Sequence, residues 1–192
     1  TGTNYRELWG DYVIMAAGIN HRTNYRLLQL VATRHPSIKL VIAGQLFELS
    51  QPLKSQRDDL LAMPNVTYVG VKHPDVLRDI VRGALIGLVT YDFEPTRSIP
   101  IAAVGTPLKV ITYLAQGCPV VTTLNSYAPE LDGHGCYKAD NLEHFLQLIG
   151  EVLDGTKRVD KEVVDKYLDR VDYDLLAEQI LEKTYTLHQP AT

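Results

Sequence analysis

An α/β fold built on a doubly wound parallel sheet of about six strands, with helices at its C-terminal end, is what this 192-residue sequence predicts. Three observations carry that expectation. Short apolar runs, several ending at glycine, alternate with stretches of helical periodicity along most of the chain. The runs are continuously apolar, the pattern of strands buried on both faces. The connections between them are long enough for the helical crossovers that parallel neighbours require.

Residues 12–17 form the first such run, stopped by Gly18. Residues 24–35 place Tyr25, Leu28, Val31 and Ala32 at helical spacing, and Pro36 ends the pattern. Residues 40–43, followed by Gly44, read as the second strand; residues 51–63 are polar and helix-compatible; residues 65–70 read as the third strand. Residues 74–82 suit a short helix with Leu77, Ile80 and Val81 inward. Residues 85–89 and 119–122 are the fourth and fifth strands, and residues 135–137 a weak sixth. Between the fourth and fifth lies a well-marked helix: Thr106 as N-cap, Pro107 at its first position, Gly117 as its stop, and Leu108, Ile111, Leu114 and Ala115 as its buried stripe. Leu142, Phe145, Leu146, Ile149, Val152 and Leu153 trace an amphipathic stripe over residues 141–154. Two charged helical segments follow, near residues 160–169 and 173–187. The expected organisation is a Rossmann-like domain over residues 1–158, then terminal helices over 159–192 that pack back on it or on a preceding half.

Composition narrows the class. With 45% hydrophobic and 22% charged residues, the chain is neither collagen-like nor disordered. No apolar run approaches the ~20 residues that span a bilayer. A net charge of −4 argues against a non-specific nucleic-acid binder, so any anion site must be local. Cys118 and Cys136 make no disulfide framework, and reduced thiols in a cytoplasmic protein are expected. The six histidines form no metal-ligand spacing with one another or with cysteine.

Chemistry in an open parallel sheet sits beyond the carboxyl ends of the strands. Residues 91–105 form a long connection without a period, where most run about four to six residues. That connection leads into the helix that starts after Thr106. Lys109 then falls in the first turn, where the helix dipole disfavours a cation by about 0.3–1 kcal/mol. A helix N-terminus binds anions, and a lysine beside it completes a phosphate site; the same lysine also suits a solvated surface. After the first strand, Gly18 allows close backbone approach and Arg22 offers a planar fork for phosphate, or for a surface ion pair. Neither a Gly-x-Gly-x-x-Gly nor a Gly-x₄-Gly-Lys-Ser/Thr motif occurs in these turns, which weighs against nicotinamide, flavin and P-loop chemistry. His21 suits a surface or cap role, Asp92 and Glu94 a solvated loop, and Glu130 a helix start.

The order of these pieces resembles the C-terminal, nucleotide-sugar-binding half of two-Rossmann (GT-B) glycosyltransferases of the retaining group 1 type. Pro107, Lys109, Tyr113, Ala115, Gly117, Pro119, Val120 and Val121 match that family's Pro-x-Lys-x-x-Glu-Tyr-x-Ala-x-Gly-x-Pro-Val-Val motif, and residues 65–70 its Asn-Val-x-Tyr-x-Gly strand. Thr112 stands where the family has a glutamate that contacts the donor ribose, and Val104 where many members have a second. The resemblance implies a donor site formed by Gly18, Arg22, Arg97, Thr106, Pro107, Leu108, Lys109 and Thr112. The donor would be a nucleotide sugar, used without a metal or other cofactor. It further implies a fragment, since the acceptor-binding half precedes this unit in the family and the chain opens at Thr1 without an initiator Met. Contact of the full-length protein with the inner face of a membrane, to reach a polysaccharide or glycolipid acceptor, is a further expectation. A non-catalytic binding module, or a nucleotide-sugar epimerase of the same fold, are the alternatives.

Overall fold

The computed structural model describes residues 2–93, 106–124 and 127–171. Six strands form one all-parallel sheet: β1 (Tyr12–Ala16), β2 (Lys39–Ala43), β3 (Val66–Gly70), β4 (Gly87–Val89), β5 (Val120–Thr122) and β6 (Cys136–Lys138). Their spatial order is β3-β2-β1-β4-β5-β6. The chain therefore winds outward in one direction from β1 to β3, then returns and winds outward in the other. The strand order reverses between β1 and β4, the position where open α/β sheets leave a crevice for ligands.

Among the described residues seven α-helices flank the sheet: α1 (Tyr5–Trp9), α2 (Tyr25–Arg34), α3 (Leu53–Leu61), α4 (Pro74–Gly83), α5 (Leu108–Ala115), α6 (Leu142–Leu153) and α7 (Lys161–Arg170). They lie on both faces, so the inner strands are buried and their runs continuously apolar, whereas β3 at the end of the sheet stays partly open, with Tyr68 exposed. Successive β1 side chains go to opposite faces. Val13 and Met15 join a cluster with α2 and α6, whereas Tyr12 and Ile14 join a separate cluster with α4, α5 and α7. α2 begins as its sequence demands, with the Asn24 side chain accepting from Leu27 N at 3.1 Å. Its end is fastened by Asn65, whose side-chain amide donates to Ala32 O at 2.9 Å and to Ile38 O at 3.1 Å. Gly44 has φ 141°, and a Cβ there would lie 1.9 Å from Ala17 O. Only glycine lets the chain leaving β2 pass so close to the end of β1.

Several expectations are corrected. The fourth strand is confined to Gly87–Val89. The short α1 was not anticipated from the sequence. In α6 the buried residues are Phe145, Leu148, Ile149 and Val152, with Leu142 46% exposed at its start. In α5 the buried face is Val110, Tyr113 and Leu114, and Leu108 points out, 63% exposed. The cause of that last rotation is Gly87: any side chain there would lie 2.4 Å from the Tyr113 ring, so its absence admits the ring against β4. Thr106 is not the cap of α5, and Pro107 is not its first residue. Pro107 is itself the boundary residue, and its carbonyl accepts from Val110 N and Ile111 N. The Thr106 hydroxyl is turned elsewhere, accepting from Ala128 N at 2.8 Å and from the Tyr167 hydroxyl at 2.7 Å. Gly117, with φ 72°, follows the helix as its stop. Val164 and Tyr167 of α7 are buried against the α5 side of the sheet. The second charged segment, near 173–187, lies outside the described residues.

Candidate functional site

The turn after β1 is built by side chain–backbone bonds. Asn20 Oδ1 accepts from Arg22 N at 2.9 Å, Thr23 N donates to Asn20 O at 3.1 Å, and the Tyr25 hydroxyl donates to Asn20 O at 2.9 Å. Burial pushes the Tyr25 phenol above its ordinary pKa, so it stays a donor. Asn24 ties this turn to the chain leaving β4, through Asn24 N to Thr90 O at 3.3 Å and its side-chain amide to Asp92 Oδ1 at 3.0 Å. The chain after β4 is fastened in turn to the one after β5. The Thr123 hydroxyl accepts from Tyr91 N at 2.7 Å and donates to Tyr91 O at 2.8 Å.

Tyr113 explains why the sheet opens here. Between β1 and β4 only Ile14 and Gly87 are in ladder register. The next β1 amide on that side, Ala16 N, donates instead to the Tyr113 hydroxyl at 2.6 Å, and that hydroxyl donates to Ala16 O at 3.4 Å. A helix side chain thus takes the place of strand pairing. Burial raises the Tyr113 pKa well beyond its usual range, which keeps the proton in place.

Beyond this split lies a cavity of about 220 Å³, lined among others by Ala16, Gly18, Arg22, Thr90, Tyr91 and Lys109. Ligand pockets commonly span ~300–1,000 Å³, so this one suits a compact charged group rather than a whole metabolite. Two of its polar atoms, Arg22 Nε and Thr90 Oγ1, are buried without a hydrogen-bond partner among the described residues. Thr90 is 3% exposed. A buried donor left unpaired costs about 1–3 kcal/mol, which an anion entering the cavity would relieve. Lys109 Nζ donates to the Tyr91 hydroxyl at 2.6 Å and lies 4.6 Å from that ring's centroid. An ammonium has three donors, and among the described residues Tyr91 takes only one of them. The first amides of α5 also have no partner within their helix. A wider cavity of about 870 Å³, lined by His21, Asn24, Asp92 and Phe93 among others, adjoins across Thr23.

Of the residues anticipated from sequence, Gly18, Arg22 and Lys109 are brought to one cavity. Thr106, Pro107, Leu108 and Thr112 do not line it. The Thr112 hydroxyl is closed onto Leu108 O at 2.9 Å, and Thr106 is engaged by Ala128 and Tyr167. Arg97 and Glu94 lie outside the described residues. Asn20, Thr90, Tyr91, Tyr113 and Thr123 were missed. The signal for Thr90 was available: a hydroxyl residue directly after an apolar strand that points at a crevice. Cys118 and Cys136 are buried, and burial holds both thiols far above their usual pKa, so neither serves as a nucleophile. Among the described residues no group of three or more His, Cys, Asp or Glu could hold a metal ion, and no helix is long and apolar enough to cross a membrane.

Comparison with known proteins adds the family. A model described as glycosyl transferases group 1 matches residues 19–155. No curated protein matches the sequence. Among solved structures, Anabaena Alr3699/HepE in complex with UDP-glucose is similar at a TM-score of 0.72 and 14% identity, over 95% of this chain and 51% of that one. A glycosyltransferase from Rickettsia africae ESF-5 is similar at 0.67 and 14% identity, over 94% and 48%. A protein described as a putative UDP-N-acetylglucosamine 2-epimerase from Listeria monocytogenes is similar at 0.56 and 11%, over 88% and 46%. At these identities the likeness is one of fold. The chain spans about half the length of the solved structures it matches.

Proposed function

Because the chain belongs to the group 1 glycosyl transferases, we propose that it is the donor-binding half of an enzyme that moves a sugar from a nucleotide sugar to a polysaccharide or glycolipid acceptor. The carrying observation is the pair of cations at the strand-order reversal: Arg22, with its Nε buried and unpartnered among the described residues, and Lys109 line one small cavity. The bound UDP-glucose of the Anabaena relative supports a nucleotide sugar as the donor class. The diphosphate sits in the cavity, bonded by Arg22 and by Lys109, which stands in the first turn of α5. As the bond from the sugar to the diphosphate breaks, negative charge grows on the leaving oxygen. The fixed cations and helix dipole stabilise that charge more than the ground state, which is what lowers the barrier. Tyr91, clipped by Thr123, holds Lys109 in place, so little reorganisation is needed. On this reading the site needs no metal. The acceptor is held by a preceding half of the protein, at the cytoplasmic face of a membrane. No nucleic acid is involved.

Calorimetric titration of the intact protein with nucleoside diphosphates tests the reading. At least one should bind, and Lys109→Ala should weaken it while leaving the free nucleoside unaffected; no binding of any of them overturns the proposal. Thr112 favours one second reading, a binding module without transfer activity, because no carboxylate stands at the family's ribose-contacting position. Sugar transfer by the intact protein, lost in Lys109→Ala with the fold intact, rejects that reading.

A further inference from the structure

The largest cavity away from the crevice opens at the opposite end of the sheet. It has a volume of about 860 Å³ and includes Leu85 and Pro119, which immediately precede β4 and β5. Its walls carry five cations, Arg6, Arg82, Lys157, Arg158 and Lys161, against a single carboxylate, Asp165. These cations come from α1, α4, the α6–α7 connection and α7, so the fold gathers them from four places. In a chain of net charge −4 that concentration runs against the composition.

Their partnering shows which of them are available. Arg6 is bonded to Asp11, Arg82 lies 3.0 Å from Asp79, Lys157 lies 3.5 Å from Glu151, and Lys161 lies 2.5 Å from Asp165. Counting those partners, the region still carries one positive charge in excess, and Arg158 is its source. Arg158 has no carboxylate within ion-pair range among the described residues. Its Nε donates to Gly155 O at 2.9 Å, which anchors the guanidinium by one edge; the terminal nitrogens have no partner among the described residues. That placement depends on a glycine. A Cβ at Gly155 would lie 2.7 Å from Arg158 Nη2, and Gly155 has φ 81°. Arg82, which lines the same cavity, is braced as well, its second terminal nitrogen donating to Gln116 Oε1 at 3.0 Å. A planar guanidinium held by one edge, in a cavity that Arg82 also lines, presents the fork that captures phosphate oxygens.

We propose that this cavity is a second anion site, separate from the donor site, that takes a phosphate-bearing ligand, with Arg158 as its contact and Arg82, held by Asp79 and Gln116, adding positive charge to the same wall. The site does not rest on the donor reading, since it shares no lining residue with that cavity. Its ligand is either a small free phosphate compound or the headgroup of an anionic lipid.

The test uses the intact protein carrying Lys109→Gln, which weakens phosphate binding at the crevice. Inorganic pyrophosphate is titrated by calorimetry, and sedimentation is measured with vesicles of phosphatidylcholine alone and with about one-third phosphatidylglycerol. Arg158→Gln and Arg82→Gln are each compared with their parent, with melting curves to check the fold. Pyrophosphate binding that persists in Lys109→Gln and falls at least tenfold in Arg158→Gln supports a site for free phosphates. Sedimentation with the anionic vesicles alone, lost in Arg158→Gln, supports a lipid headgroup. Neither ligand binding, or binding unchanged by both arginine substitutions, overturns the site. Failure of nucleoside diphosphates to bind at the crevice would leave these outcomes unaffected.

Discussion

Replacing Tyr113 by Phe removes one oxygen and keeps the ring that fills the space over Gly87. In the wild-type chain that oxygen accepts from Ala16 N at 2.6 Å, in place of the strand pairing that would otherwise continue. The ring is fully buried, so water does not readily substitute for the lost hydroxyl. Ala16 is part-buried, and its stranded amide should cost about 1–2 kcal/mol, the lower part of the range for an orphaned donor. A chain of this size loses about 2–4 °C of Tm per kcal/mol, so the midpoint should fall by about 2–8 °C. Scanning calorimetry measures that directly. Ala16 and Gly18 line the crevice, so nucleoside-diphosphate affinity should weaken several-fold in the same variant. A midpoint within about 1 °C of wild type would refute the bond's structural role, given that sensitivity. Reduced stability with unchanged affinity would show that the hydroxyl supports the sheet and not the site.

Other expectations follow from separate features. Lys109→Ala removes charge-assisted bonds worth about 1.5–3 kcal/mol, so nucleoside-diphosphate affinity should fall roughly 10–150-fold in calorimetry, with nucleoside binding unchanged. Asn65→Ala strands the carbonyls of Ala32 and Ile38 and should lower stability in urea unfolding by about 1–2 kcal/mol, with an unchanged denaturant slope. The Asp160 carboxylate caps α7 by accepting from Val163 N, and that bond, together with His134, holds its pKa below the ordinary value. A depressed folded-state pKa contributes stability above the unfolded pKa that disappears as pH falls through the folded one. Asp160→Asn should therefore flatten the acid limb of a stability–pH profile below about pH 4, where unperturbed carboxylates titrate.

The strands were legible because parallel sheets bury both faces, so runs such as residues 12–16 and 40–43 carry no competing polar signal. The period of α2 was equally clear over residues 24–35, whereas the capping role of Asn24 is seen only in the structure. The face of α5 was not legible. Six of its eight residues are apolar, so periodicity cannot choose a side, and the choice was made by Gly87, twenty-one residues before the helix begins. The same kind of distance hid the role of Thr106, whose partners Ala128 and Tyr167 come from other parts of the fold. Arg22 and Lys109 were readable individually, as cations after a strand and at a helix start. That they share a cavity depends on the strand order, which no local pattern specifies.

The two apolar clusters lie on opposite faces of the sheet and have no buried side chain in common. Arg22 leads into α2, which packs in the first, while Lys109 stands on α5, which packs in the second. A doubly charged ligand gripped by both would act as a clamp across the sheet's edge, joining two layers that are otherwise coupled only through the strands. Opening either layer would then require release of the ligand, and each would gain protection set by ligand concentration over Kd. Amide hydrogen exchange should accordingly slow in α2 and α5 together when the crevice is filled. A ligand held by one cation alone would quiet a single layer.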